Sequence, residues 1–290
     1  LDAVEQGTVR LDDMVQVTKE AAQMGGSQVY LDQREKFSVD DLLYALMVQS
    51  ANDAAVALAT HVAGSKTEFI GLMNRKAEEL GMKNSRFHSV HGLPPARGQE
   101  VDQTTARDLA ILCRELSRYP ETCTYTSTKE REFRDGQFIM RTHNHLLKTI
   151  DGADGFKTGF FNAAGFSIAA TAKRNDVRII ALVMGSKDRK VRDAKASELL
   201  AKGFAAVRSQ PVVAKAATSV ENPASQNETA GDAEPEKKSE VILKVPVALP
   251  DAGGGWGMFF WGVITGITLS ALTALFLLRR RSRKRSRYLR

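Results

Sequence analysis

Apolar residues along the first part of the chain recur in two rhythms, one of about 3.6 residues and one of two, which predicts an α+β domain. Ser38 opens the run Asp40–Met47 as a helix cap, with Asp41 three residues on as its acidic partner. A second helix is predicted from Asn52 through Val62. Thr67 to Leu80 keeps helical period and stops at Gly81, a residue free to take the left-handed turn that closes a helix. Asp102 or Thr104 is expected to cap a helix over Thr105–Ser117, which ends before Pro120. Phe166–Ala172 and Val177–Met184 read as strands, and Lys173–Asp176 joins them as a hairpin. A closing helix from Asp188 to Val207 is expected to lie against that sheet.

After position 208 the pattern changes. Residues 209–255 are rich in Ala, Pro, Ser, Glu and Asn, too polar to offset their ordering entropy, and read as a disordered, flexible tether. Within it Val241–Leu249 has strand character, weakened by Pro246 and Pro250. Trp256–Leu278 is apolar on every face and uncharged, and about 20 such residues cross a bilayer core, so 256–278 is predicted as a transmembrane helix. Eight cations follow it in the tail 279–290, which the positive-inside bias keeps on the cytoplasmic side. Trp256 and Trp261 suit the opposite interface, so the globular part, 1–208, is expected to face outward from a cytoplasmic membrane.

Composition changes this picture in two places. The formal charge of +7 suggests a nucleic-acid partner, but setting aside the eight tail cations leaves −1 for everything upstream, which excludes one. Hydrophobic content of 43% with 26% charge supports a real core. Cys113 and Cys123 have neither metal spacing nor a CxxC pattern, and read more simply as two buried thiols than as a disulfide. The chain opens at Leu1, without Met and without a signal segment, so an export signal is expected upstream or already removed.

Two short motifs carry candidate chemistry. Ser50-Ala51-Asn52 projects a hydroxyl and an amide from a junction between two predicted helices. A Ser-x-Asn triplet arises by chance about once in a chain of this length, so only its position gives it weight. Lys157-Thr158-Gly159 precedes the hairpin, and a chance occurrence is expected in roughly one such chain in fifteen. On a strand edge it offers an ammonium for an anion, a hydroxyl to hydrogen-bond it, and a glycine that lets a ligand reach the backbone.

In this order and spacing the two triplets resemble the second and third motifs of penicillin-recognising serine enzymes. Neighbouring words narrow the match: Leu42-Leu-Tyr-Ala-Leu-Met-Val-Gln-Ser-Ala-Asn-Asp-Ala-Ala55, His91-Gly-Leu-Pro94, Thr105-Ala-Arg-Asp-Leu-Ala110 and Gly152-Ala-Asp-Gly-Phe-Lys-Thr-Gly-Phe160. All read like the serine-type D-alanyl-D-alanine carboxypeptidases, the low-molecular-mass penicillin-binding proteins of peptidase family S11. The resemblance covers about residues 1–208 and implies a penicillin-binding, β-lactamase-like transpeptidase fold, a helical cluster with an antiparallel sheet. It implies hydrolysis of the terminal D-Ala-D-Ala bond of peptidoglycan stem peptides through an acyl-serine. β-Lactam antibiotics would acylate the same serine, and no metal or organic cofactor is needed.

The family's first motif, SxxK, supplies the nucleophile and its lysine. No lysine here has serine three residues before it, and the expectation is that this motif lies upstream of Leu1. The 290 residues alone are then expected to be inactive, with no activating lysine beside Ser50. By resemblance Ser50 joins the proton network and Asn52 holds the substrate's backbone amide. Lys157 tunes that network and, with Thr158, draws the terminal carboxylate; the N–H of Phe160, beyond Gly159, forms half of the oxyanion hole. Arg192 matches the family's carboxylate-binding arginine by its spacing from Gly185, although Lys187, Arg189 and Lys190 beside it could make this a solvated charge run.

Other readings stand beside this one: a β-lactamase, or a non-catalytic wall-binding protein using the same cleft. His88, His91, His143 and His145 fit no HExxH pattern and read as loop or surface residues, with His145 placed nearest the cleft. Family members typically add a small all-strand domain and a surface-lying helix, whereas a tether and an apolar span are read here. That leaves open how far from the membrane the catalytic domain works.

Overall fold

A computed structural model describes residues 1–208; the predicted tether, span and tail lie outside the described residues. Helices are α1 (Asp2–Glu5), α2 (Lys19–Ala22), α3 (Val39–Tyr44), α4 (Asn52–Ala63), α5 (Lys66–Glu79), α6 (Ala106–Leu116), α7 (Pro120–Ser127), α8 (Leu146–Thr149) and α9 (Arg189–Arg208). Strands are β1 (Met14–Gln16), β2 (Lys36–Ser38), β3 (Glu130–Phe133), β4 (Phe138–Arg141), β5 (Ala153–Phe161), β6 (Gly165–Arg174) and β7 (Val177–Ser186). Among the described residues the strand pairings are antiparallel: a two-stranded sheet β1–β2 whose connection carries α2, a hairpin β3–β4, and a three-stranded sheet ordered β5-β6-β7. The expected mixture of helical cluster and antiparallel sheet is therefore present.

Two apolar cores hold it together. One gathers Val15, Val29, Leu42, Val48 and Val56 around α4, whose residues from Asn52 to Ala59 are all buried. Alanine at four of those eight positions lets neighbouring elements approach the helix closely. The other lies between the sheet and α9, where Ala196, Leu200 and Phe204 recur every fourth residue and face Ile168, Ala170 and Ala181. Gly203 keeps that packing tight, since a Cβ there would lie 2.5 Å from Cγ2 of Ile179.

Local signals explain most boundaries. The Ser38 hydroxyl accepts the Asp41 N–H at 3.0 Å and donates to the Asp41 carboxylate at 2.8 Å, fixing the start of α3. Ser65 caps α5 in the same way, and Gly81 at φ +75° ends it as expected. The β6–β7 turn tightens onto Asn175 and Asp176, because Asn175 tolerates φ +48° and both strands run on further than predicted.

Three boundaries differ from expectation. Helix α6 is capped by Thr105 itself, which accepts the Asp108 N–H; neither Asp102 nor Thr104 does so. Asp102 is drawn away to the N–H groups of His88 and Ser89, and Thr104 to the hydroxyl of Ser85. Pro120, read as a stop, begins α7, because proline's fixed φ and missing N–H suit the first helical position. The helix expected over Asp40–Met47 is α-helical only to Tyr44, then widens into a π-helical turn, Ala45–Gln49. Apolar spacing cannot tell these apart over five residues. Cys113 is buried and Cys123 half-buried, and both are free thiols.

Candidate active site

Ser50 stands where the π turn breaks off. Its backbone is left-handed, φ 60° and ψ 38°, a conformation that costs a residue bearing a Cβ about 1–2 kcal/mol. Such strain persists only where surroundings enforce it, and it gathers at functional positions. The turn faces β5, and there Lys157 donates from Nζ to the Ser50 Oγ at 2.6 Å. A second bond runs from Nζ to the Thr158 carbonyl at 2.9 Å. Neither partner is an anion, and burial pushes the ammonium down to about 8. At neutral pH this amine both holds and releases a proton with little penalty.

The expectation that Ser50 has no lysine beside it is thus corrected: Lys157, 107 residues later, takes that place. The resemblance put both residues in one proton network, and the fold supplies the direct contact by bringing the π turn against β5.

Thr158, Gly159 and Phe160 continue β5, paired with Ile168, Ser167 and Phe166 of β6. Among the described residues β5 pairs in its sheet with β6 alone; Thr126 and Asn144 bond to the carbonyls of Asp154 and Gly155 at its start, which leaves the 157–160 stretch without a second strand partner. A Cβ on Gly159 would meet nothing within 4 Å, so the face of the sheet is open at that position. Phe160 is 55% exposed, its ring stacked on Phe166 at 4.1 Å between centroids.

Asn52 begins α4 and is held in place by the loop before it. Its side chain is 7% of the way to full exposure and donates from Nδ2 to the Gly25 carbonyl at 2.9 Å, while its N–H donates to the Ser27 carbonyl. It thus ties loop 25–27 to the start of α4, and its Oδ1 takes no part in that tie. Gly26 permits this, because a Cβ there would lie 2.6 Å from Nδ2 of Asn52. Asp53, which sequence reasoning passed over, does similar work one residue on: fully buried, it accepts the N–H groups of Val29 and Leu31.

Arg192, in the first turn of α9, is 3% exposed, whereas Lys187, Arg189 and Lys190 are exposed. The charge-run reading therefore fails for Arg192. Its Nη2 and Nε both donate to Asp193 Oδ1, at 2.7 and 2.8 Å.

The cleft is lined by Met47, Val48, Ser50, Thr142, His143, Asn144, Phe156, Lys157 and Thr158. His143 is an exposed loop residue, as expected, and it also lines the cleft that holds Ser50 and Lys157. Partial burial, then Lys157, Arg189, His145 and Arg192, hold its imidazole below the usual 6.5. His145 itself is exposed and stands at the start of α8. The sequence signal lay next door, in Asn144, a polar residue buried before the apolar pair Leu146-Leu147.

Comparisons with known proteins identify the family and the fold. The model of the D-alanyl-D-alanine carboxypeptidase family, peptidase S11, matches residues 1–188. D-alanyl-D-alanine carboxypeptidase DacF of Bacillus subtilis is 36% identical over 215 residues, covering 73% of this chain and 54% of that protein. Penicillin binding protein 6B of Escherichia coli superposes with a TM-score of 0.65 at 34% identity, over 70% of this chain and 65% of that one. Penicillin-binding protein D2 of Listeria monocytogenes, solved with ampicillin bound, gives 0.61 at 31% identity, over 70% and 81%. The chain spans about half the length of the curated relatives it matches.

Proposed function

Because this chain belongs to the D-alanyl-D-alanine carboxypeptidase family, peptidase S11, we propose that the protein removes the terminal D-alanine from peptidoglycan stem peptides through an acyl-serine. The observation that carries the reading is the 2.6 Å bond between Lys157 Nζ and Ser50 Oγ. An amine near pKa 8 bonded to a hydroxyl is a proton relay. In the reaction it passes a proton toward the departing D-alanine amine while the nucleophile, the serine of the family's SxxK, forms the ester. That motif does not occur in these 290 residues, so Ser50 is assigned the relay and not the attack.

The remaining groups bind. Lys157 and Arg192 supply positive potential for the terminal carboxylate, and Thr158 donates its hydroxyl to it. The N–H of Phe160 supports the developing oxyanion. Asn52 shapes the site through its hold on loop 25–27. β-Lactams, which carry a carboxylate and a strained amide, enter as acylating inhibitors.

The protein works outside the cytoplasm, held to the membrane by 256–278 with the basic tail inside. Support for this comes from the apolar span and the eight cations behind it. Protease added outside intact spheroplasts should then digest the domain and spare the tail.

The enzymatic test uses a chain that carries the SxxK segment. It should bind fluorescent penicillin covalently and release D-alanine from a stem pentapeptide, and Lys157→Ala should cut both by at least about a hundredfold. Undiminished labelling in Lys157→Ala would refute the relay.

A further inference from the structure

His143 lies outside every role assigned so far, yet its position is fixed. Its neighbour Asn144 is buried and donates from Nδ2 to the Gly155 carbonyl of β5 at 3.3 Å, while Asn144 Oδ1 accepts the Leu146 N–H at 3.1 Å. The Asn144 N–H is taken by Thr142 Oγ1. Loop 142–145 is thereby clamped to the strand that carries Lys157, and the imidazole lines the cleft beside Lys157, Thr158 and Ser50.

The groups acting on that imidazole are cationic or able to become so: Lys157 from β5, Arg189 and Arg192 from α9, and His145 from the start of α8. Arg192 is answered by Asp193, but Lys157 has only the neutral Ser50 Oγ and Thr158 carbonyl. A carboxylate seated here would relieve the repulsion, and would make a charge-assisted hydrogen bond to an imidazolium but not to a neutral ring lacking a proton on the facing nitrogen.

We infer that His143 is a proton-gated binding residue for the carboxylate end of the substrate, gripping it as the imidazolium and loosening as the ring loses its proton. The inference rests on the peptidase reading and adds to it a residue and a pH dependence. Linkage fixes the sign: if a carboxylate draws a proton onto His143, then protonating His143 tightens carboxylate binding by the same factor. Affinity therefore rises as pH falls through the imidazole range, well below the Lys157 transition near 8 and well above the ligand's own carboxyl range of about 3.5.

The experiment measures binding of N-acetyl-D-alanyl-D-alanine to the 290-residue chain between pH 5.5 and 7.5. Wild type should bind about tenfold more tightly at the acid end. His143→Gln should show no such rise, and His143→Arg, with its charge fixed, should bind tightly at both ends. His143 is exposed, so neither exchange removes a core contact. Should His143→Gln keep the acid-side rise, or His143→Arg lose affinity at both ends, the inference is overturned while the peptidase reading stands. Absence of binding by wild type at every pH overturns the inference, whereas the peptidase reading falls only if the chain carrying SxxK neither labels with penicillin nor releases D-alanine.

Discussion

Lys157 and Ser50 meet across 2.6 Å although a π turn presents one and a strand edge the other. Ser50 accepts the bond without neutralising the amine's charge, so Lys157 carries its burial cost alone. That cost appears as the fall to about 8.

Lys157 should therefore contribute its own pH dependence to stability, separable from that of Cys113 and the tyrosines by comparison with a variant lacking the amine. With its folded value near 8 against an ordinary 10.5, the unfolded chain keeps the proton where the folded chain has lost it. The penalty is complete below about pH 8 and fades as pH climbs toward 10.5, a change on the order of 2–3 kcal/mol. Urea unfolding from pH 7 to 11 should show wild type gaining on Lys157→Met across that window. Parallel profiles would count against a desolvated amine.

The left-handed backbone at Ser50 separates two substitutions that both delete the hydroxyl. Ser50→Gly should be more stable than Ser50→Ala by about 1 kcal/mol, because only glycine adopts φ 60° without strain. Denaturant midpoints decide it, and equal midpoints would mean the turn relaxes once the hydroxyl is gone.

At Gly203 the sign of a substitution should reverse with its neighbour. Gly203→Ala alone overpacks against Ile179 at a cost of about 1–3 kcal/mol, which exceeds or cancels a helix-propensity gain of about 1. In an Ile179→Ala background the same exchange has room, and should stabilise. A double-mutant cycle with no coupling would show that α9 simply shifts away.

Mass spectrometry addresses the nucleophile. The 290-residue chain incubated with benzylpenicillin should gain no covalent adduct, since it has no SxxK. An adduct abolished by Ser50→Ala would instead make the Ser50–Lys157 pair the attacking group.

Much of this was readable beforehand for local reasons. Ser38, Ser65 and Gly81 act on residues a few positions away, so their helix ends could be read from the sequence. The triplets at 50–52 and 157–159 could be found, but not which members meet. Asn52 turns to Gly25, and that choice depends on a loop packing against α4. Arg192 differs from Arg189 and Lys190 only in the face of α9 it occupies, which a run of cations does not disclose. His143 has no pattern of its own; the buried amide of Asn144 sets its place through a bond across eleven residues.

The five residues 45–49 also carry a risk that reaches beyond this chain. A regular α-helix turns about 100° per residue, so losing one residue there could restore ordinary winding and still leave a foldable protein. The wide turn that ends at the left-handed Ser50 would be gone, and with it the break that presents the hydroxyl to Lys157. In an alignment such a change is one gap inside an otherwise intact motif, so a silent homologue could be spelled almost like an active one.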